Sequence, residues 1–489
     1  MLQVSQGRLG FKLLLEEKPQ PEVTAYAGLP LLVETAMAVL SKQDYKRLAC
    51  ELGYFWWQPV RRHLLSLLVL VGSGGGSLED LETLRADEGL NALLGMKLSS
   101  PTQAKDFLYR FHQAEDGSKL SLDDDKQLTV SGKAQIRPEG PGLRVLAQMN
   151  ERIVEALQAH APRTRATLDV DATIVEAHKR QALRAYEGTI GYQPQMAWWA
   201  EQQVWVCDEF RDGNVPAEFE LLGFLKKAFG RLPSTVSQRR LRGDSALYNE
   251  AALTWAADEA GIEFAVSADM SPALEAAITA VPQEEWKPYR SLREQEKKEP
   301  PREEREWAEV NFVPGWERNH KKDEEVVSLR YLAIRVRSLQ RDLLVPDAER
   351  WRHFAVVTNM NWEGERLLRW HREKQGTVEH AHGVLKNDLG GGKLPCGRFG
   401  ANSAWWRLNV LAANLLQMLK VTALPAAMQT MTPKTLRFRL FNLAGRLVSH
   451  GRQLWLRISE KLPTAELYAQ ARKALLALGT VRSTSPPSG

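Results

Sequence analysis

Apolar residues recur at intervals of three and four through most of residues 1–160. That spacing predicts helices over 34–52 and 61–72. Gly72, Gly74, Gly75 and Gly76 interrupt the pattern, and Ser77 with Asp80 opens another helix. Ser100 followed by Pro101 supplies an N-cap and a first-turn residue for a helix within 98–113, which carries Lys105 and Arg110. Short helices of this kind suit a helix-turn-helix-like module or a plain bundle.

The periodicity changes after residue 160. RATLDVDATIVEAH holds a short β-rich run, QQVWVCDEF reads as another strand, and ELLGFLKKAFGRL is an amphipathic helix. Residues 234–270 then read strand, turn, helix, strand, which makes 161–270 an α/β segment. Residues 271–362 resemble a β-rich insertion. Alternating charge and the breakers Pro288, Pro300 and Pro301 fill 284–309, and strand-like runs follow at 326–339 and 352–360. Residues 363–425 return to helix. The tail 426–489 predicts two helices and a disordered end, STSPPSG. The expected architecture is a mixed α/β core in two parts (161–270 and 363–425) around that insertion. A helical N-terminal region (1–160) and a basic helical tail (426–489) flank it.

Composition narrows the class. The 489 residues are 44% hydrophobic and 26% charged, as in ordinary globular proteins. No apolar run approaches the ~20 residues of a membrane span, so no membrane partner is expected. The first twenty residues carry acids within their apolar stretch, unlike a signal peptide. Cys50, Cys207 and Cys396 are too scattered for a disulfide framework or a CxxC zinc pair, and a reducing cytoplasm is the simplest compartment. Charge is distributed unevenly. The formal total is +5, yet residues 1–350 carry 45 basic and 53 acidic side chains, whereas 351–489 carry 20 and 7. A basic C-terminal portion points to a polyanion, nucleic acid first, or to a solvated basic face.

Three acids fall where chemistry is readily built. Asp171 shares one face of a strand with Asp169. Asp244 ends a strand in RGDSALY. Glu379 lies on a helix in TVEHAHGVLKND, where Val378, Ala381 and Leu385 form an apolar stripe and Glu379, His382 and Lys386 an adjacent polar one. Carboxylates from three segments can hold two Mg2+ ions, and two metals can drive in-line attack at phosphorus. His380 and His382 flank Ala381 and could form half of a zinc site, although no further ligands with suitable spacing are visible.

Six segments occur in order: LDVDAT (168–173), GTIGYQPQ (188–195), FRDGNVPA (210–217), RGDSALYNEAAL (242–253), GTVEHAHGVLKND (376–388) and FGANSAWWRLNVLAANLLQMLK (399–420). Together they resemble the DDE transposases of the IS1380 insertion-sequence family, within the IS4-like superfamily. The resemblance implies an RNase H-like catalytic core. Its Asp–Asp–Glu triad matches Asp171, Asp244 and Glu379, which would ligate two Mg2+ ions, with Mn2+ as a substitute. Asp169 competes with Asp171 for the first position. The resemblance also implies cut-and-paste cleavage and strand transfer on double-stranded DNA, recognition of terminal inverted repeats by residues 1–160, and action as a homodimer at the bacterial nucleoid. The superfamily's helix usually carries a Tyr seven residues before the Glu and an Arg four before it. Here these are Arg372 and Gln375, so Arg372 or Lys374 would take over the phosphate contact, and Gly376 could break the helix. Lys386, His382 and the tail residues Arg437, Arg439, Arg446 and Arg452 are further candidates for DNA contact. Trp286, Trp307 and Trp316, in or near the insertion, are either packed or stack on a base. Two rival functions stay open: a catalytically inactive DNA-binding derivative, and a small-substrate metallohydrolase built on Asp169, His380 and His382.

Overall fold

The computed structural model describes residues 2–4, 13–15, 23–121, 133–179, 181–290, 303–316, 329–338 and 351–481. The STSPPSG end, much of the charged stretch 284–309 and the ends of the 326–339 run lie outside them. Among the described residues, no single helix is long and apolar enough to cross a membrane.

The N-terminal helices include α1 (Pro30–Val39), α2 (Lys42–Glu51), α3 (Trp57–Ser73), α4 (Pro101–Tyr109) and α5 (Pro141–His160). The single helix expected over 34–52 is two. The chain extends at Leu40, and Ser41 starts α2 with a capping box to Asp44. Gly74 ends α3 at φ +93°, a conformation that favours glycine. Ser100 caps α4 as its sequence predicts, in a capping box with Gln103.

One mixed sheet of nine strands organises the rest. Its first five long strands are β1 (Arg165–Ala172), β2 (Gln195–Trp199), β3 (Val204–Glu209), β4 (Gln238–Gly243) and β5 (Glu263–Ser267). They lie in the order β3-β2-β1-β4-β5. The first three form an antiparallel meander, and β4 and β5 run parallel to β1. Helix α6 (Leu221–Gly230) leads from β3 to β4. Both faces of β1 are covered, so Ala166, Leu168 and Val170 are buried, and so are Thr167 and Asp169.

The β-rich region does not form a separate sheet. Strands β6 (Glu303–Val310), β7 (Arg330–Ser338) and β8 (Arg352–Thr358) extend the main sheet from β5, all antiparallel, with the short strand Lys287–Pro288 at the edge. Arg335 lies over the buried Trp286 ring, and Trp307 is packed against Gly364. Trp316 is half-buried against Tyr248.

Helices α7 (Gly364–Arg372) and α8 (Lys374–Gly383) follow. The break falls at Glu373, and α8 runs straight through Gly376 into a wider π-helical turn, Val384–Asp388. Helix α9 (Phe399–Ala423) is mostly apolar, with a few polar side chains such as Arg407 and Asn414 among them. It is buried accordingly, with Trp405 and Trp406 both fully enclosed. It packs against α1, α3, α4, α5 and β3, so a single apolar cluster runs from Ala27 to Leu475. The tail departs from the all-helical expectation. After two short helical segments, β9 (Gly445–His450) and β10 (Gln453–Arg457) form a hairpin that pairs with Val23–Thr24, and only then comes α10 (Ala465–Val481), which packs on α1.

Candidate active site

The two parallel neighbours β1 and β4 deliver the two aspartates. Asp171 is the penultimate residue of β1, with its side chain 19% exposed. Asp244 is the first residue beyond β4, where its Oδ1 accepts the Ala246 N–H at 3.1 Å and caps a short helical turn. The carboxyl ends of adjacent parallel strands are a common place for sites. Glu379 comes from α8, whose buried Val378 and Ala381, followed by Leu385 in the next turn, hold the helix against the core. Glu379 itself is exposed.

Lys374, one turn before Glu379, ties the aspartates together. Its ammonium lies 3.2 Å from Asp244 Oδ2 and 3.6 Å from Asp171 Oδ1, and the residue is buried. The Asp171 carboxyl is pushed up to about 6. Burial is the main cause; Lys374 opposes it, while Asp244 and Glu379 add to it. The shift is thus mainly the cost of holding a charged carboxylate out of water, with two neighbouring acids adding to it.

One buried and one half-buried imidazole flank the acids. His382, one turn after Glu379, sits 3.8 Å from Asp171 and packs on the Trp205 ring. Burial pushes its pKa down to about 3, so it is neutral there. The His371 pKa is pushed down to about 4 by removal from water, and its Nε2–H donates to the Gly243 carbonyl at 3.0 Å, next to Asp244.

Asp169 shares Asp171's face of β1 but is fully buried. Arg242, its register partner on β4, donates to both of its oxygens at 2.6 and 3.0 Å, and Thr377 donates a third hydrogen bond. Three hydrogen bonds thus hold Asp169 inside the protein, whereas Asp171 faces the open end of the strand. The same bonds count against the metallohydrolase set. His380 is exposed, His382 is buried against Asp171 and Asp169 is locked to Arg242, so the three are not assembled.

Several expected DNA ligands are otherwise employed. Lys374 is paired within the site, and His382 is too buried to reach DNA. Lys386 donates to Thr173 Oγ1 at 2.9 Å and to the Ile174 carbonyl at 3.4 Å, fastening the π-helical turn to the loop after β1. Arg437 is half-buried and donates to the Asp388 and Pro433 carbonyls, which brings the tail against that same turn. Arg372, Arg439, Arg446 and Arg452 are exposed, Arg452 at the hairpin turn with φ +63°. Arg242, Thr377 and His371 were not singled out from sequence. Arg242 and Thr377 each stand two residues before a triad acid, the one signal that could have found them.

Among the described residues, no three His, Cys, Asp or Glu side chains stand close enough to hold a metal ion as they are. The chemistry of the donor set nevertheless fits a hard divalent cation. Its atoms are carboxylate oxygens, two of the three groups already converge on one positive charge, and Asp171 lacks full compensation.

The fold is that of a mixed α/β protein with two acids at the ends of neighbouring parallel strands and a helical glutamate from much later in the chain. The chain belongs to the transposase family described as "Transposase DDE domain group 1", which matches residues 59–480. Among solved structures it is similar to piggyBac transposase in a synaptic complex with hairpin DNA. The identity is 8% over 94% of this chain and 82% of that one, with a TM-score of 0.44, too remote to assign residues. No curated protein matches the chain.

Proposed function

We propose that the chain is an IS1380-type DDE transposase that cuts insertion-sequence ends and joins them to target DNA. The convergence of Asp171 and Asp244 on a single cation, beside the helix that carries Glu379, supports this most strongly. The order β3-β2-β1-β4-β5, an antiparallel meander followed by two parallel strands, supports an RNase H-like core. In this reading Asp171, Asp244 and Glu379 hold two Mg2+ ions, or Mn2+. Ions bound there supply Lewis acidity at the attacking and leaving oxygens of a phosphodiester. The protein's own groups do the rest. Asp171 and Asp244 release Lys374, whose ammonium becomes free to meet a DNA phosphate. Exposed Arg372 lies two residues away, and Arg439, Arg446 and Arg452 extend basic contact along the tail. Neutral His382 and Trp205 close the wall behind Asp171 and keep bulk water from that side. The N-terminal region recognises terminal inverted repeats in double-stranded DNA. Two copies pair two ends as a homodimer at the bacterial nucleoid.

The bridging position of Lys374 also favours a second reading, a DNA-binding derivative without catalysis. One experiment separates the two. Asp244→Ala and Glu379→Ala should abolish Mg2+-dependent cleavage of repeat-ended DNA and leave DNA binding intact. Cleavage retained by either variant refutes the triad. Binding without cleavage by the unmutated protein selects the inactive reading.

A further inference from the structure

Each acid of the triad is preceded, two residues earlier, by a member of one buried hydrogen-bonded cluster. Asp169 precedes Asp171, Arg242 precedes Asp244, and Thr377 precedes Glu379. Asp169 and Arg242 are 0% and 2% exposed. Arg242 donates two bonds to Asp169, one to the Trp370 carbonyl at 2.7 Å and one to Glu373 at 3.1 Å, and its guanidinium lies 5.0 Å from the Trp370 ring. Trp370 is on α7, and Glu373 is the break between α7 and α8. Thr377 on α8 donates to Asp169. Three segments remote in sequence thus meet at one planar, bidentate ion pair, whose geometry tolerates little sliding or rotation.

The offsets have a geometric meaning. In β1 a two-residue step returns to the same face, so fixing Asp169 fixes the direction of Asp171. In β4 the same step carries the chain from Arg242 past the strand end to Asp244. On a helix a two-residue step lies on a different face, so Thr377 does not hold Glu379 from beside it. It sets the rotation and height of α8 and, with them, the reach of Lys374 and Glu379.

We infer that Asp169, Arg242 and Thr377 are positioning residues, a buried clamp that sets the spacing of Asp171, Asp244 and Glu379 and thereby the site's affinity for divalent cations. This rests on the reading of those three acids as the metal-holding triad. The clamp makes no contact with substrate, and its pieces act only through the acids that follow them.

The test uses the full chain, with Mn2+ affinity measured by paramagnetic resonance and cleavage of repeat-ended DNA measured in parallel. Thr377→Val keeps the side-chain shape and removes the hydroxyl. Arg242→Lys keeps the charge and removes the fork. Each should weaken Mn2+ binding by about tenfold, the low end of what losing a supporting hydrogen bond does at metal sites. Thr377→Ser should restore the affinity, and the Thr377→Val unfolding midpoint should stay near that of the unmutated protein. A role limited to stability would lower the midpoint and leave the affinity of the folded protein unchanged. Either folded variant with unmutated Mn2+ affinity overturns the clamp, and so does failure of Thr377→Ser to rescue. Unmutated protein that binds Mn2+ but never cleaves DNA removes the transposase reading and leaves the clamp standing. Absence of any Mn2+ affinity overturns both.

Discussion

Two groups of charges lie against the same sheet, and they are balanced differently. In one, Arg407 on α9 is fully buried. It meets both Asp208 oxygens at 3.0 Å, Glu139 at 2.8 Å and the Leu143 and Asp208 carbonyls. Lys227 also reaches Glu139, at 3.4 Å. Although burial opposes it, the Arg407 and Lys227 charges hold the Glu139 carboxyl down to about 2, and Asp208 and Glu139 push the Arg407 pKa up. In the other group, Asp171 is pushed up to about 6 because burial and two neighbouring acids outweigh Lys374. The first group is satisfied within the chain and joins α5, α9 and β3. The second is left short of positive charge. Buried acids with full countercharge serve the architecture, whereas acids left under-compensated at strand ends are what the proposed cation site requires.

The sharpest way to break this comparison is Arg407→Ala. It leaves Asp208 buried without its guanidinium and Glu139 with Lys227 alone, and should cost about 3–5 kcal/mol of stability, read as a lower denaturant midpoint. A loss below about 1 kcal/mol would remove the distinction.

The next test is pH, because the two groups respond with opposite sign. The folded Glu139 pKa is depressed, so its contribution is present above the unfolded value of 4.5 and is lost as pH falls towards about 2. The folded Asp171 pKa is raised above 3.8, so the metal-free protein loses that contribution as pH rises through about 6. Only ionised Asp171 can ligate. Divalent-ion affinity, measured by titration calorimetry, should therefore be about tenfold weaker at pH 5 than at pH 7. An affinity flat across that range would show that Asp171 is not a ligand.

The smallest effect should come from Lys374→Met, which removes the ammonium that competes for Asp171 and Asp244. Mn2+ binding should tighten about fivefold, roughly 1 kcal/mol. Unchanged or weaker binding would show that Lys374 assists the cation rather than standing in its place.

Much of the scaffold was legible in the residues. The β-rich run in RATLDVDA and the Ser100–Pro101 cap are local signals, and they produced β1 and α4. The stripe Val378, Ala381, Leu385 gave the inward face of α8 and its extension. Other features depend on partners that local pattern does not name. Asp169 and Asp171 share one face of the strand, and local pattern does not show that the pairing of β1 with β4 sets Arg242 opposite Asp169. The β-rich segment reads as an insertion because its strands are contiguous in sequence, yet they finish a sheet begun at residue 165. The tail hairpin was missed because β9 and β10 are short, and their third strand is Val23–Thr24, some 420 residues away. Lys374 and His382 read as exposed cations because helix spacing does not reveal which flank meets the end of β1.

The sheet closes over a long stretch of chain, and this bears on synthesis. Both aspartates are present once residue 244 has left the ribosome, but α8 follows more than a hundred residues later, and the fully enclosed helix α9 later still. Non-local closure of this kind is slow. A growing or truncated polypeptide ending before residue 374 has an incomplete set of acids and lacks Lys374 between the aspartates. The candidate site is therefore assembled only after both halves of the sheet and the later helices have been made.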